Sequence, residues 1–375
     1  MIQTKMGKVE GIFLVLTIII NHIILNLPSE IISSTSSAAP INIIFISILA
    51  LLFVFLISKL LKKFPELDIL DISEFLGGKW LKFAFGTLFF LYFIVSGSIV
   101  LRCFTGNLQI IYFPKTHIAF LLFLFVVAIG FALKFGFSSI SKANLIIMPI
   151  VLISILFVFI ANIDNFTILR MTPILGNGFN STFLSGMSNL FAFSGIAYLY
   201  FIPPMLSNSK HYKKIGYISM ILSAVFLLLS TSTILFIFPF VAETQEVFPL
   251  YVASRFIEFG RFFQRLDAFF LLIWIISLVS YLSIVASFCL TIICKITKIS
   301  YPNFLIPLLC FTIFCLGLLP QNITQTHFLE TTFYKYIVLI LIFGISPLLL
   351  LLANLKKARL KKKAGKGEEI NETTA

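Results

Sequence analysis

The stretch IIINHIILNLPSE, residues 18–30, places Asn21, His22, Asn26 and Pro28 inside the first long apolar run of the chain. A second run, FAFSGIAYLYFIPP at 191–204, carries Ser194, Gly195 and Tyr198 among apolar neighbours. Proline removes a backbone donor and clashes with the turn before it. Glycine loosens a helix by up to about 1 kcal/mol relative to alanine. Backbone freed in this way at bilayer depth needs a partner from protein, water or ligand. Amides that follow a helix break suit a carboxylate, and carbonyls that end a half-helix suit an ammonium. The chemistry implied is non-covalent recognition of a small zwitterion. Its candidate residues are Asn21, His22, Ile24 and Leu25 in the first stretch and Phe193, Ser194, Gly195 and Tyr198 in the second. Tyr92 and Ser96, four apart and so on one helix face, are candidate walls. Plainer readings stand beside these. Pro28 and Gly195 also fit simple kinks, His22 and Asn26 fit a polar pair between helices, and Trp274 fits a packed aromatic.

The elements that must position these residues are membrane helices. The 375-residue chain is 59% hydrophobic and 11% charged, with mean hydropathy +1.06, whereas soluble domains carry about 25% charged residues. Runs such as LLFVFLISKLL do not alternate, which excludes barrel strands. The pattern predicts an all-α integral membrane domain over 1–354 with ten transmembrane helices. They lie near 10–37, 41–61, 81–104, 118–135, 143–163, 183–206, 214–240, 266–294, 303–319 and 333–354. With both termini cytoplasmic, 21 of the 28 Lys and Arg fall inside and 7 outside, as the positive-inside rule requires. The first apolar run outlasts a signal-peptide core and reads as a retained helix. The tail 355–375, basic then acidic, is expected to lie against anionic lipid.

The two polar interruptions fall in the first and sixth spans. Each is then the first helix of a five-helix half, and five is odd, so the halves run in opposite senses. Such a 5+5 inverted repeat with helices 1 and 6 interrupted points to a binding site near the bilayer midplane. The loop at 64–82, FPELDILDISEFLGGKWLK, reads as a short helix stopped by Gly77 and Gly78. The five cysteines make no C-x-x-C pair and the four histidines no metal-binding spacing, so no metal or other cofactor is expected. No span pairs an acid and a base with a nucleophile, which argues against an enzyme. Cytoplasmic anchoring accounts for the net charge of +13 without nucleic acid.

Between spans seven and eight, VFPLYVASRFIEFGRFFQRLD at 247–267 reads as an amphipathic outer helix opening at Pro249, either capping a vestibule or lying in the lipid interface. Arg265 and Asp267 are two apart, so each needs a partner elsewhere, as a gating or structural charge or as a subunit contact. Phe248-Pro249, Arg255, Gly260, Phe262, Arg265, Asp267 and Trp274-Ile275 together resemble the signature of bacterial spore germination proteins of the B-subunit type. The 64–82 loop and MTPILGNG at 171–178 are similar to the same family. The resemblance implies a fold like that of amino acid/polyamine/organocation permeases (LeuT-like) and a place in the spore inner membrane. It also implies action with an A-type membrane subunit and a C-type lipoprotein, as a receptor for a small-molecule germinant. Related permeases carry a Gly-x-Gly-like element before the proline of span one, where this chain has Asn21-His22-Ile23. An ordinary amino-acid secondary transporter is the alternative.

Overall fold

A computed structural model describes residues 5–238, 248–257, 267–299 and 302–373. Their helices are α1 (Lys8–Ile24), α2 (Leu27–Thr35), α3 (Ala39–Leu61), α4 (Ile69–Tyr112), α5 (Ile118–Lys134), α6 (Gly136–Ala161), α7 (Ile196–Leu199), α8 (Tyr212–Ile237), α9 (Pro249–Arg255), α10 (Asp267–Thr297), α11 (Leu305–Leu318), α12 (Ile323–Phe328), α13 (Lys335–Val338) and α14 (Ser346–Thr373). Among the described residues six segments are long and apolar enough to cross a membrane, and α5 and α11 are apolar but shorter. The first and sixth expected spans hold no single long helix, because both are interrupted. α1 lies at the centre, packed on α6, α8 and α10, and Leu14–Leu25 are all buried. The outward faces of α3, α5, α6 and α11 carry exposed Ile, Leu and Phe, as lipid contact requires.

The break in span one falls at Leu25 and Asn26, whose backbone leaves the helical region (ψ −107° and φ −123°). Pro28 then sits in the first turn of α2, where its missing N–H costs nothing. The proline therefore starts the second half-helix and does not kink the first. Span six differs. Residues 185–193 form a 3₁₀ helix, and Ser194, Tyr198 and Ala197 donate backbone bonds to the third residue back. Helical dihedrals persist through Ser194 and Gly195, so the chain is tightened there and not opened. Gly195 serves close approach: a Cβ would stand 2.9 Å from Ile19 Cγ1 and 3.2 Å from the Val15 carbonyl. Asn42 steadies this segment, donating to the carbonyls of Thr182 (2.7 Å) and Gly186 (3.0 Å).

One face of the bundle gathers Met6, which exchanges backbone bonds with Met205 and Ser207, the C-terminal ends of α3 and α10, and Asn354 of α14. The expected glycine stop holds there: Gly78, at φ 74°, separates the 69–76 turns from the rest of α4. Asp68 caps those turns, accepting from Leu70 N (3.1 Å) and Asp71 N (3.0 Å), and takes Lys295 Nζ at 2.5 Å. Burial raises the Asp68 carboxyl to about 6, against the pull of the Lys295 ammonium. Lys295 also reaches Asp71 at 2.7 Å. Asp68→Asn keeps the cap acceptor and leaves Lys295 its second partner, so it should unfold close to the native temperature in detergent. Asp68→Ala loses cap and pair together and should be the less stable by about 1 kcal/mol or more.

Candidate functional site

The residues that flank the break of span one meet spans three, eight and ten about halfway along α10. His22, 5% exposed, stacks on Tyr334 with ring centroids 5.4 Å apart and meets the Tyr281 ring edge-on at 5.9 Å. Its Nε2 lies 3.3 Å from the Tyr334 hydroxyl, which lies 3.4 Å from the Tyr92 hydroxyl. Ser96 Oγ and the Tyr281 hydroxyl are 3.3 Å apart. On the other side of His22, Nδ1 stands 3.8 Å from Glu330 Oε1. Glu330 is 3% exposed, accepts from Cys103 Sγ at 3.3 Å and has His327 Nδ1 at 3.9 Å. A carboxylate at this depth is costly unless compensated, and two imidazoles and a thiol surround it. Lys335 adds a cation nearby, reaching Asn189 Oδ1 at 3.4 Å and lying over the Phe191 ring. No side chain caps the start of α2, where Pro28 has no N–H and Glu30 N donates to the Asn26 carbonyl at 3.0 Å.

The candidates from sequence separate into two groups. His22, Tyr92 and Ser96 join this cluster, and buried Ile24 and Leu25 carry the broken backbone beside it. Asn21 instead ties helices together, donating to Thr17 O (2.9 Å) and Ser277 Oγ (3.0 Å). Asn26 does not pair with His22; its amide reaches His327 Nδ1 at 3.4 Å. Phe193, Ser194 and Gly195 are buried along the tightened segment. Tyr198 packs into an aromatic group, 4.7 Å from Phe93 and 4.9 Å from Phe288. Trp274 is fully buried between Phe248 and Phe270.

Asp267 takes a structural place, accepting from the hydroxyls of Tyr251 (2.7 Å) and Tyr112 (3.2 Å). It thereby joins α9 and the end of α4 to the start of α10. α9 opens at Pro249 as expected and is mostly buried from Pro249 through Ser254; residues 258–266 of the expected amphipathic stretch lie outside the described residues. The burial comes from packing: Phe248 and Tyr251 insert toward α4 and α10. Arg265, Gly260 and Phe262 lie outside the described residues.

Sequence reasoning missed Tyr281, Glu330 and Tyr334. Glu330 was lost because span ten was begun at residue 333, whereas Tyr334 fell inside that span and was not singled out. The helix starts ten residues earlier, where Asn322 accepts from Gln325 N (2.7 Å) and Gln325 Oε1 accepts from Gln321 N (2.8 Å). That N-x-x-Q pattern is the usual signal of a capped helix start. Leu329–Tyr334 is π-helical, an irregularity that widens the helix where Glu330 and Tyr334 face inward.

Residues 5–326 match the family model described as spore germination protein. The chain belongs to that family. Spore germination protein YndE of Bacillus subtilis is 23% identical over 346 residues, 89% of this chain and 93% of that protein. Spore germination protein XB of Bacillus anthracis is 23% identical over 241 residues, 64% of this chain and 67% of that protein. Among solved structures, a Na⁺-coupled sialic acid symporter superposes with TM-score 0.66 at 12% identity, over 92% of this chain and 78% of its own. A manganese transporter of Eremococcus coleocola gives 0.52 at 14% identity, over 92% and 77%. The fold is therefore that of LeuT-like transporters, and this spore germination family member is a multi-pass membrane protein.

Tyr334→Phe keeps the ring stacking but strands the Tyr92 hydroxyl, and should lower stability by about 1–3 kcal/mol. Removing both hydroxyls, as Tyr92→Phe with Tyr334→Phe, should recover part of that loss in detergent melts. Equal loss in single and double variants would show that the two hydroxyls are not coupled.

Proposed function

We propose that this spore germination family member is the B-type membrane subunit of a nutrient-germinant receptor, recognising a small amino-acid-like germinant at the break of span one. The observation that carries the reading is the convergence of His22, Tyr92, Ser96, Tyr281, Glu330 and Tyr334 beside the break in span one, where no side chain caps the start of α2. A zwitterion's carboxylate suits the first-turn amides of α2, and its ammonium suits Glu330. The names of the Bacillus relatives support a germination role. On this reading the chain lies in the spore inner membrane with both termini cytoplasmic. It works beside an A-type subunit and a C-type lipoprotein.

A secondary-transporter reading is favoured by one observation: the structural neighbours are a symporter and a metal-ion transporter. Spores lacking this chain, and spores carrying Glu330→Gln, separate the possibilities when exposed to single amino acids and sugars and followed by the fall in optical density. The deletion should abolish the response to at least one nutrient. Glu330→Gln should raise the concentration needed for that nutrient by about 10-fold or more, the worth of one charged hydrogen bond. An unaltered response to every nutrient in the deletion strain would sink the receptor reading. Counterflow of labelled solute in proteoliposomes of the purified chain would establish transport in its place.

A further inference from the structure

On the face that carries Met6, far from the mid-depth cluster, a cavity of about 490 Å³ opens between the end of α3, the turn that follows it and the segment leading into α8. Lys59, Lys62, Lys210 and Lys213 line it, against one acid, Glu66. Among the described residues none of these four lysines is in an ion pair; the Lys213 ammonium rests 5.7 Å from the Tyr217 ring. Positive charge on one face is expected of any membrane protein and by itself implies no ligand. Two further observations do. Ser58 and Tyr212 also line the cavity, and the side-chain oxygen of each is buried with no hydrogen-bond partner. A buried unpartnered hydroxyl costs about 1–3 kcal/mol, so two on one wall mark a place where an acceptor is missing.

The acceptor has an apolar attachment. Phe55 shares the lining and ends a row on α3 of Ile44, Ile48, Leu52 and Phe55, each 49–58% exposed. Their spacing of four, four and three keeps them on one side of the helix. The row runs along the lipid-facing surface directly to Lys59 and Lys62. Ammonium groups, hydroxyl donors and an apolar track in that order match an anionic lipid from phosphate to acyl chain. We infer that this cavity is a binding site for the phosphate-bearing headgroup of an anionic membrane lipid, with the acyl chains along the α3 row. Lys59, Lys62, Lys210 and Lys213 supply charge, and Ser58 and Tyr212 donate to the phosphate oxygens. The site is separate from attraction of the basic tail to the membrane surface.

Native mass spectrometry of the full chain in detergent tests this, with phosphatidylglycerol against a neutral glycosyl diacylglycerol of the same acyl chains. Phosphatidylglycerol should be retained preferentially. Each lysine of the four changed to Gln should weaken retention about fivefold, the worth of one basic residue at an anionic surface. Tyr212→Phe and Ser58→Ala should weaken it without lowering the melting temperature in detergent, which keeps the test decisive if a multiple lysine variant fails to fold. Lys361, Lys362 and Lys363 changed together to Gln should leave retention as in the parent. Retention unaffected by Tyr212→Phe, Ser58→Ala and the lysine changes would overturn the site. Displacement of the lipid by glycerol phosphate at equal concentration would overturn the lipid assignment in favour of a soluble anion.

Discussion

A polar atom inside a bilayer has no water to fall back on, and the middle of this protein is arranged around that constraint. Breaking span one at Leu25 and Asn26 frees backbone groups that hydrocarbon cannot satisfy. Their neighbours are accordingly polar: α1 sends His22 and α2 begins without a side-chain cap, while span ten brings Glu330 and Tyr334 to meet them. The same constraint acts one layer out. Thr17 and Ser280 both reach Asn144 Oδ1 at 2.9 Å, and Asn21 reaches Ser277, so the helices that hold the break are themselves fastened by buried hydrogen bonds. Each such bond contributes little alone, but an unmade one costs more than a made one gains.

How much of this was legible in the sequence depended on whether the signal was local. Pro28 and the polar residues before it announced an interruption correctly, but the break lies before the proline, because proline is tolerated in a first turn. Gly77-Gly78 gave the stop in α4 at the right place, since a φ of 74° is a demand that glycine meets without strain. Gly195 was harder. Its reason is the approach of Ile19 and Val15 from another helix, and nothing near it in the chain reports that contact. Asn21 bonds to Ser277 of α10 and Tyr198 packs on Phe93 and Phe288, contacts set by which way a helix faces and not by anything local in the chain. Glu330 was visible as an acid but assigned to a loop, and the cap at Asn322 that would have corrected this was passed over.

The family match and the transporter likeness bear on different parts of the molecule. The fold neighbours, at 12–14% identity, speak for the arrangement of helices. The germination relatives speak for the biological setting. At the centre, Asn21 donates to Ser277, and His22 faces Glu330 of span ten. The transporter-like architecture thus holds at its centre a polar cluster of few side chains, several of them aromatic.

One of those contacts carries a further consequence. The Tyr92, Tyr334 and His22 groups form a row, with 3.4 Å between the hydroxyls and 3.3 Å from Tyr334 to the imidazole. A hydroxyl has one hydrogen to give. If Nε2 of His22 is bare, Tyr334 donates to it and Tyr92 donates in turn, so every hydrogen points toward α1. If Nε2 carries the hydrogen, the row reverses and points toward α4. The position of a single proton on His22 is therefore written along the whole row, and the central helix and span three each read it from opposite ends.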